Sequence, residues 1–233
     1  MSNIETEDPL ALAAVQAIHS GDVETLKKLL TDNPSLATVR LDGNAEECRA
    51  GGMSRTLLHV ATDWPGHFPN VVATVTLLIA HGADVNARFS GPHTETPLHW
   101  EASSDDVAVL HTLLDRGADI EAPGAVIAGG SPLADAVAFG QWKAARRLIE
   151  RGARTTLWQA AALGLMDRVE KHFASTPLPS AEAVTRAFWS ASHGGQRASA
   201  EYLLAHGADV NWVGYDNLTP LDMTRQAGAA LSI

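Results

Sequence analysis

Apolar residues recur along the chain in short bursts at three- and four-residue spacing, each followed by polar punctuation. Val75, Leu78 and Ile79, then Val109, Leu110, Leu113 and Leu114, each lay one apolar stripe along a helix of about three turns. The bursts end at Gly82, Gly117, Gly152 and Gly207, positions suited to the left-handed conformation that closes a helix. Pro97, Pro132 and Pro220 open the preceding helices, where the first turn needs no backbone N–H, and a Thr or Ser before each is a suitable N-cap. A single helix pair cannot enclose such a stripe. The pattern therefore predicts helix pairs that bury their stripes by stacking, with stability summed from terms within and between neighbouring pairs.

The pairs form an internal repeat. Gly-Ala-Asp-[Val/Ile]-[Asn/Glu] occurs three times, at 82–86, 117–121 and 207–211. Thr96-Pro97-Leu98-His99, Ser131-Pro132-Leu133-Ala134 and Arg186-Ala187-Phe188-Trp189 each precede the closing glycine of their unit by 21 residues. Thr56-Leu57-Leu58-His59 precedes Gly82 by 26, so this unit carries an insertion near residues 63–70. The combination of T-P-L-H, a small pair, an apolar second helix and G-A-D-V-N resembles the ankyrin repeat over roughly residues 10–228, with irregular units of a bacterial style. The resemblance implies an all-α ankyrin-repeat solenoid of helix-turn-helix units with short β-hairpin fingers. It reads as one domain over residues 1–233, with about six repeats plus a truncated seventh, starting near 12, 56, 96, 131, 155, 186 and 219. The first unit lacks T-P-L-H and exposes Gln16, His19, Glu24 and Lys28, as a terminal cap needs. In the fifth, Trp158 is assigned the His position, and the 24-residue spacing from the fourth unit leaves little room for a finger. The last unit starts at Thr219-Pro220-Leu221-Asp222, its helix ends at Gly228, and residues 229–233 are too few for a second helix. Tyr202, Leu203 and Leu204 would then be covered by one helix, which predicts either self-association through residues 200–233 or a neighbouring segment docked there in the intact protein.

A net charge of −10 disfavours nucleic acid and anionic membrane as partners. The lone cysteine, Cys48, excludes an internal disulfide framework and fits a reducing compartment. No apolar run reaches membrane-spanning length, and the acidic start (Glu5, Glu7, Asp8) is no signal or transit peptide, so a cytoplasmic protein is expected.

Departures from the repeat mark the candidate sites. Residues 41–53, which hold Cys48, read as a surface loop or lid. Residues 63–70 place Trp64 and Phe68 among prolines. Either both rings project as partner anchors or they fold back onto the stack. The finger at 123–130 is apolar at its centre, Val126 and Ile127, which marks a contact surface or a segment packed under the 41–53 loop. His59 and His99 hold the position that the resemblance makes structural, bonded to the backbone and to the Thr hydroxyl. Later units carry Ala134, Trp158, Trp189 and Asp222 there. The small Ala134 between His99 and Trp158 predicts a hollow ringed by Trp100, Glu101 and Asp135. Glu101 stands where the family pattern has a packed Ala, so its carboxyl must find partners or shift its pKa upward. Both carboxyls alternatively bond finger N–H groups or pair with Arg146 or Arg147. Asp105-Asp106 reads as a turn or the next N-cap, His193-Gly194-Gly195 as a helix end, and His81, His111 and His206 as residues near helix C-termini.

No P-loop, G-x-G-x-x-G, G-x-S-x-G or H-E-x-x-H is present, so no catalytic residue is assigned. No histidine has metal-ligand spacing, and neither metal nor cofactor is expected. The leading reading is a non-enzymatic scaffold that binds a protein or peptide through its concave face. Its candidate contacts are Trp64, Phe68, Trp100, Glu101, Val126, Ile127, Asp135, Trp158, Trp189, His193 and Trp212. The rival is a small-molecule binder or enzyme that uses the acidic, Trp-lined hollow around His99, Glu101 and Asp135.

Overall fold

A computed structural model describes residues 3–43, 52–226 and 228. Cys48, with most of the 41–53 loop, lies outside the described residues. Thirteen α-helices are present among them, and the chain divides into two compact units, Met1–Gly152 and Ala153–Ile233.

The first unit opens with α1 (Pro9–Ser20) and α2 (Val23–Asp32). Three helix pairs follow: α3 (Leu57–Ala61) with α4 (Val71–Ala80), α5 (Pro97–Ser104) with α6 (Val107–Asp115), and α7 (Pro132–Ala138) with α8 (Trp142–Glu150). The predicted stripes form its core. Ile18, Leu26, Leu58, Val75, Leu78, Leu98, Leu110, Leu113, Leu133 and Leu148 are fully buried. Each contributes about 1.5–3 kcal/mol by leaving water. Asp105-Asp106 performs both expected roles. Asp106 caps α6 by accepting the N–H groups of Ala108 and Val109, and Asp105, in the left-handed region at φ 59°, accepts the Ala144 N–H at 2.7 Å.

A small sheet adds to the helical reading. β1 (Asn3–Glu5) pairs parallel with β2 (Arg40–Asp42), which pairs antiparallel with β3 (Ser54–Thr56), with Leu41 opposite Ile4 and Arg55. Arg40 donates to the Ser54 hydroxyl and carbonyl at 2.8 and 2.6 Å and so ties the two ends of the long loop together.

The second unit contains α9 (Leu157–Ala162), α10 (Met166–Phe173), α11 (Ala181–His193), α12 (Arg197–Ala205) and α13 (Pro220–Gln226) around Val169, Val184, Phe188 and Leu203. Two sequence assignments shift here. Helix α11 begins at Ala181, ahead of the expected 186, because the Ser180 hydroxyl accepts the Ala183 N–H as an N-cap and Glu182 pairs with Arg186 along the first turn. In the fifth repeat the His position belongs to Gln159, whose Oε1 accepts the Thr156 N–H and hydroxyl at 2.8 and 2.9 Å, so Trp158 stands one place earlier in the pattern. Gly194 has a packing role: a Cβ there would lie 1.9 Å from the Ala162 carbonyl oxygen.

Candidate functional site

The two T-P-L-H histidines are committed to the backbone. His59 Nδ1 accepts the Thr56 N–H at 3.3 Å, which leaves the proton on Nε2 to donate to the Glu95 carbonyl at 3.2 Å. His99 repeats the arrangement, accepting from Thr96 N–H at 3.1 Å and donating to the Gly130 carbonyl at 3.3 Å. Each ring therefore closes its own helix N-terminus and holds the finger of the next unit. Burial, which disfavours the imidazolium, lowers His59 to about 3 and His99 to about 4, and both rings are neutral at physiological pH.

Beside His99, two carboxyl groups meet under the finger. Asp135, on α7, is fully buried, and its Oδ1 accepts the Ile127 N–H at 3.4 Å. Glu95, whose charge acts on Asp135, is only 6% exposed and accepts the Trp100 indole N–H at 3.1 Å. Burial first, and the Glu95 charge second, push Asp135 up to about 8; burial raises Glu95 as well. Glu95 is the member of this cluster that the sequence reading missed. It sits in a polar stretch of finger, and nothing in its neighbours marks it as turning inward. Trp100 leans the other way, packing edge-on against His59 at 5.0 Å and against Phe89 at 5.5 Å.

Glu101 has a different environment. It is 1% exposed, its Oε1 has no hydrogen-bond partner, and its acid is held well above the ordinary range by burial and then by the neighbouring Asp106 charge. The Asp106 backbone N–H is its compensating donor. The charge partners considered for it lie elsewhere: Arg146 is exposed, and Arg147 pairs with Glu150 at 2.9 Å. Asp135 and Glu101 thus answer to separate neighbours, Glu95 and Asp106.

The 63–70 insertion splits its two aromatic rings. Phe68 folds back and stacks on His19 at 4.7 Å, whereas Trp64 is 75% exposed. The segment is clamped at several points. Asp63 pairs with Arg55 at 2.8 Å, the His67 ring meets the Ser104 carbonyl and the Asp106 carboxylate at 3.1 and 3.4 Å, and the Asn70 amide donates to the Gly21 carbonyl at 3.0 Å. In the finger, Val126 is exposed, Ile127 half-buried and Ala125 buried. Gly124, at φ 122°, admits no Cβ, which would lie 2.4 Å from the Thr94 carbonyl oxygen.

The remaining candidates belong to the second unit. Trp158 packs against its core. Trp189 is 8% exposed, donates its indole N–H to the Leu218 carbonyl at 2.9 Å, and contacts His193 at 5.7 Å and Tyr215 at 5.3 Å. Trp212 meets Tyr215 edge-on at 6.2 Å. His81 and His206 share one role, each with Nδ1 at the carbonyl four residues back, Leu77 at 2.9 Å and Tyr202 at 2.7 Å. Among the described residues no three His, Cys, Asp or Glu side chains stand together as a metal site, and no helix is long and apolar enough to cross a membrane.

Comparisons with known proteins agree with this geometry. A family model for ankyrin repeats matches residues 10–124 in three copies. An ankyrin repeat and KH domain-containing protein of Caenorhabditis briggsae is 30% identical over 156 residues, 63% of this chain. The match spans only 6% of that relative's length. The crystal structure of the human ASB11 ankyrin repeat domain superposes with a TM-score of 0.53 at 21% identity, covering 95% of this chain and 96% of that one. From its repeated helix pairs, its Thr–His caps and these likenesses, the chain is an ankyrin-repeat protein.

Proposed function

We propose that the chain is a non-enzymatic recognition scaffold in the cytoplasm that binds a protein or peptide through the concave face of its repeats, with the 63–70 insertion and the 123–130 finger as principal contacts. Ankyrin repeats in general serve as protein–protein interaction scaffolds, which sets the class of partner. The observation that carries the finer reading is Trp64, a large aromatic side chain 75% exposed on a segment anchored by Arg55, Ser104, Asp106 and Gly21. A rigid, solvent-facing Trp binds with little loss of conformational freedom, the property of an interface hot spot. In the rival hollow three polar groups are by contrast engaged internally, His99 with Gly130, Asp135 Oδ1 with Ile127 and Glu95 with Trp100, while Glu101 Oε1 and Asp135 Oδ2 have no hydrogen-bond partner. A net charge of −10 favours a basic segment as the partner.

The test is capture of partners from a lysate of the native cell on the immobilised chain, comparing wild type with Trp64→Ala, Val126→Ser and Asp135→Asn. The reading expects the first two to lose a shared protein partner and the third to keep it. Loss confined to Asp135→Asn, or a partner indifferent to Trp64, would overturn it. Exposed Val213, Tyr215 and Leu221 in the second unit support a further proposal, self-association through residues 200–233.

A further inference from the structure

We propose that the outer edge of the β2–β3 hairpin is a docking site for an extended basic segment of a protein partner, and that residues 3–6 of this chain occupy it as a displaceable internal ligand. The edge is built to stay in place when its occupant leaves. β2 is held from its other side by the antiparallel ladder to β3 and by the Arg40 side chain, which donates to the Ser54 hydroxyl and carbonyl. Leu41 is 1% exposed and fixes the register of β2 against the core. Asp42 presents two acceptors to whatever pairs with this edge. Its carbonyl takes the Thr6 N–H at 3.1 Å together with the Thr6 hydroxyl, and its carboxylate takes the Asn3 amide at 2.9 Å. An extended segment is thus read at two side chains with backbone pairing between them, the pattern of strand addition.

Residues 3–6 fit this edge incompletely. The parallel ladder has only three registered pairs, and Ile4, the residue beside Leu41, is only half-buried. At the third pair Glu5 stands opposite Asp42; registered side chains of a parallel ladder lie on one face, so two acidic groups are neighbours there. Among the described residues neither forms an ion pair, and Arg40, the cation on the same strand, is turned to Ser54. A Lys or Arg at the Glu5 position converts that repulsion into attraction, and the net charge of −10 draws the same kind of segment to the chain. The favoured ligand therefore carries a side-chain donor, an apolar residue, a basic residue and a Thr or Ser in consecutive positions. Departure of residues 3–6 leaves the next helix capped, because the Asp8 carboxylate accepts the Leu10 N–H at 2.8 Å. The site shares no residue with the 63–70 insertion or the 123–130 finger.

The test is a fluorescence-anisotropy titration of the full chain with labelled peptides of residues 1–8, one unaltered and one carrying Glu5→Lys. The chain is used as wild type and as Ile4→Ser/Thr6→Pro, in which the proline removes both Thr6 donors and vacates the edge. Circular dichroism of the vacated chain should match the wild type; Asn3→Ala/Thr6→Val, which keeps the backbone, takes its place if the proline disturbs the helices. The Glu5→Lys peptide should bind the vacated chain at least about tenfold more tightly than the wild type, where residues 3–6 compete, and about fivefold more tightly than the unaltered peptide does. Adding Asp42→Ala to the vacated chain should remove that preference, and bound peptide should shift the Arg40, Leu41 and Asp42 amides in NMR spectra. Equal affinity for wild type and vacated chain, no binding to the vacated chain below about 1 mM, or shifts that spare those three amides would overturn the site. Equal affinity of the two peptides would overturn the basic partner and leave a second copy of this chain, exchanging residues 3–6, as the occupant.

Discussion

Glu101→Gln isolates the energetic consequence of placing a carboxyl where the repeat calls for a small residue. The side chain is 1% exposed with one oxygen unpartnered, and its folded-state pKa lies well above the usual value because burial disfavours the charged form. In the unfolded chain it ionises near pH 4.3. A raised folded pKa gives stability that is complete below the unfolded pKa and is lost as pH rises towards the folded one, at about 1.4 kcal/mol per pH unit for one proton. As pH rises from the unfolded pKa towards the folded one the wild type should therefore lose stability through this residue, at up to about 1.4 kcal/mol per pH unit, and glutamine, which cannot ionise, should lose none. The variant also places an amide near the unpartnered Oε1 position, a cost of about 1–3 kcal/mol that does not vary with pH. The diagnostic quantity is thus the pH dependence of the stability difference. Urea denaturation of both proteins at several pH values measures it, and contributions from His59, His99 and Asp135 cancel in the comparison. A difference that stays constant from pH 5 to pH 7 would mean that Glu101 is ionised in the folded protein, refuting the assignment.

His99→Ala strands the Thr96 N–H and the Gly130 carbonyl and should cost about 2–5 kcal/mol in thermal or chemical denaturation. His99→Gln should recover about half of that loss, because Gln159 performs the same capping in the fifth repeat; equal losses would show that the cap contributes nothing. Trp64→Ala should change stability by less than about 0.5 kcal/mol, since its ring is exposed, while weakening partner binding by about 2 kcal/mol or more in calorimetry. Sedimentation at micromolar concentration should show association that Leu221→Lys and Val213→Lys reduce; a monomer at every concentration would contradict the second-unit proposal.

Most helix pairs were legible because their boundaries are chemically punctuated. A proline at the first turn with Thr or Ser before it, and a glycine at the end, leave few alternatives for residues 96–117 or 131–152. Where that punctuation fails, so did the register. The fifth repeat has no proline, and two adjacent threonines offered two starts; the choice falls to Thr156 because Gln159 can reach back to it. The early start of α11 is set by a Ser180 cap that no repeat pattern contains. The N-terminal strand was not legible at all, since Asn3–Glu5 gains its structure from a parallel partner at Arg40–Asp42, beyond two helices. Among candidate residues, the burial of Glu101 followed from its place in the repeat. The partner of Asp135 did not, because Glu95 reaches it through the path of a finger and not through helical spacing. Local composition likewise did not separate Trp64 from Phe68; the latter turns inward because His19 offers a ring to stack on.

The most direct test of recognition through the insertion and the finger is a hydrogen-exchange footprint of the chain with and without its captured partner. The account predicts slowed exchange in residues 63–70 and 123–130 on binding, with the already protected core of α6, around Leu110 and Leu113, unchanged. Protection that leaves both segments untouched and falls on α5 and α7 around Glu101 and Asp135 would contradict it and return the acidic site to first place.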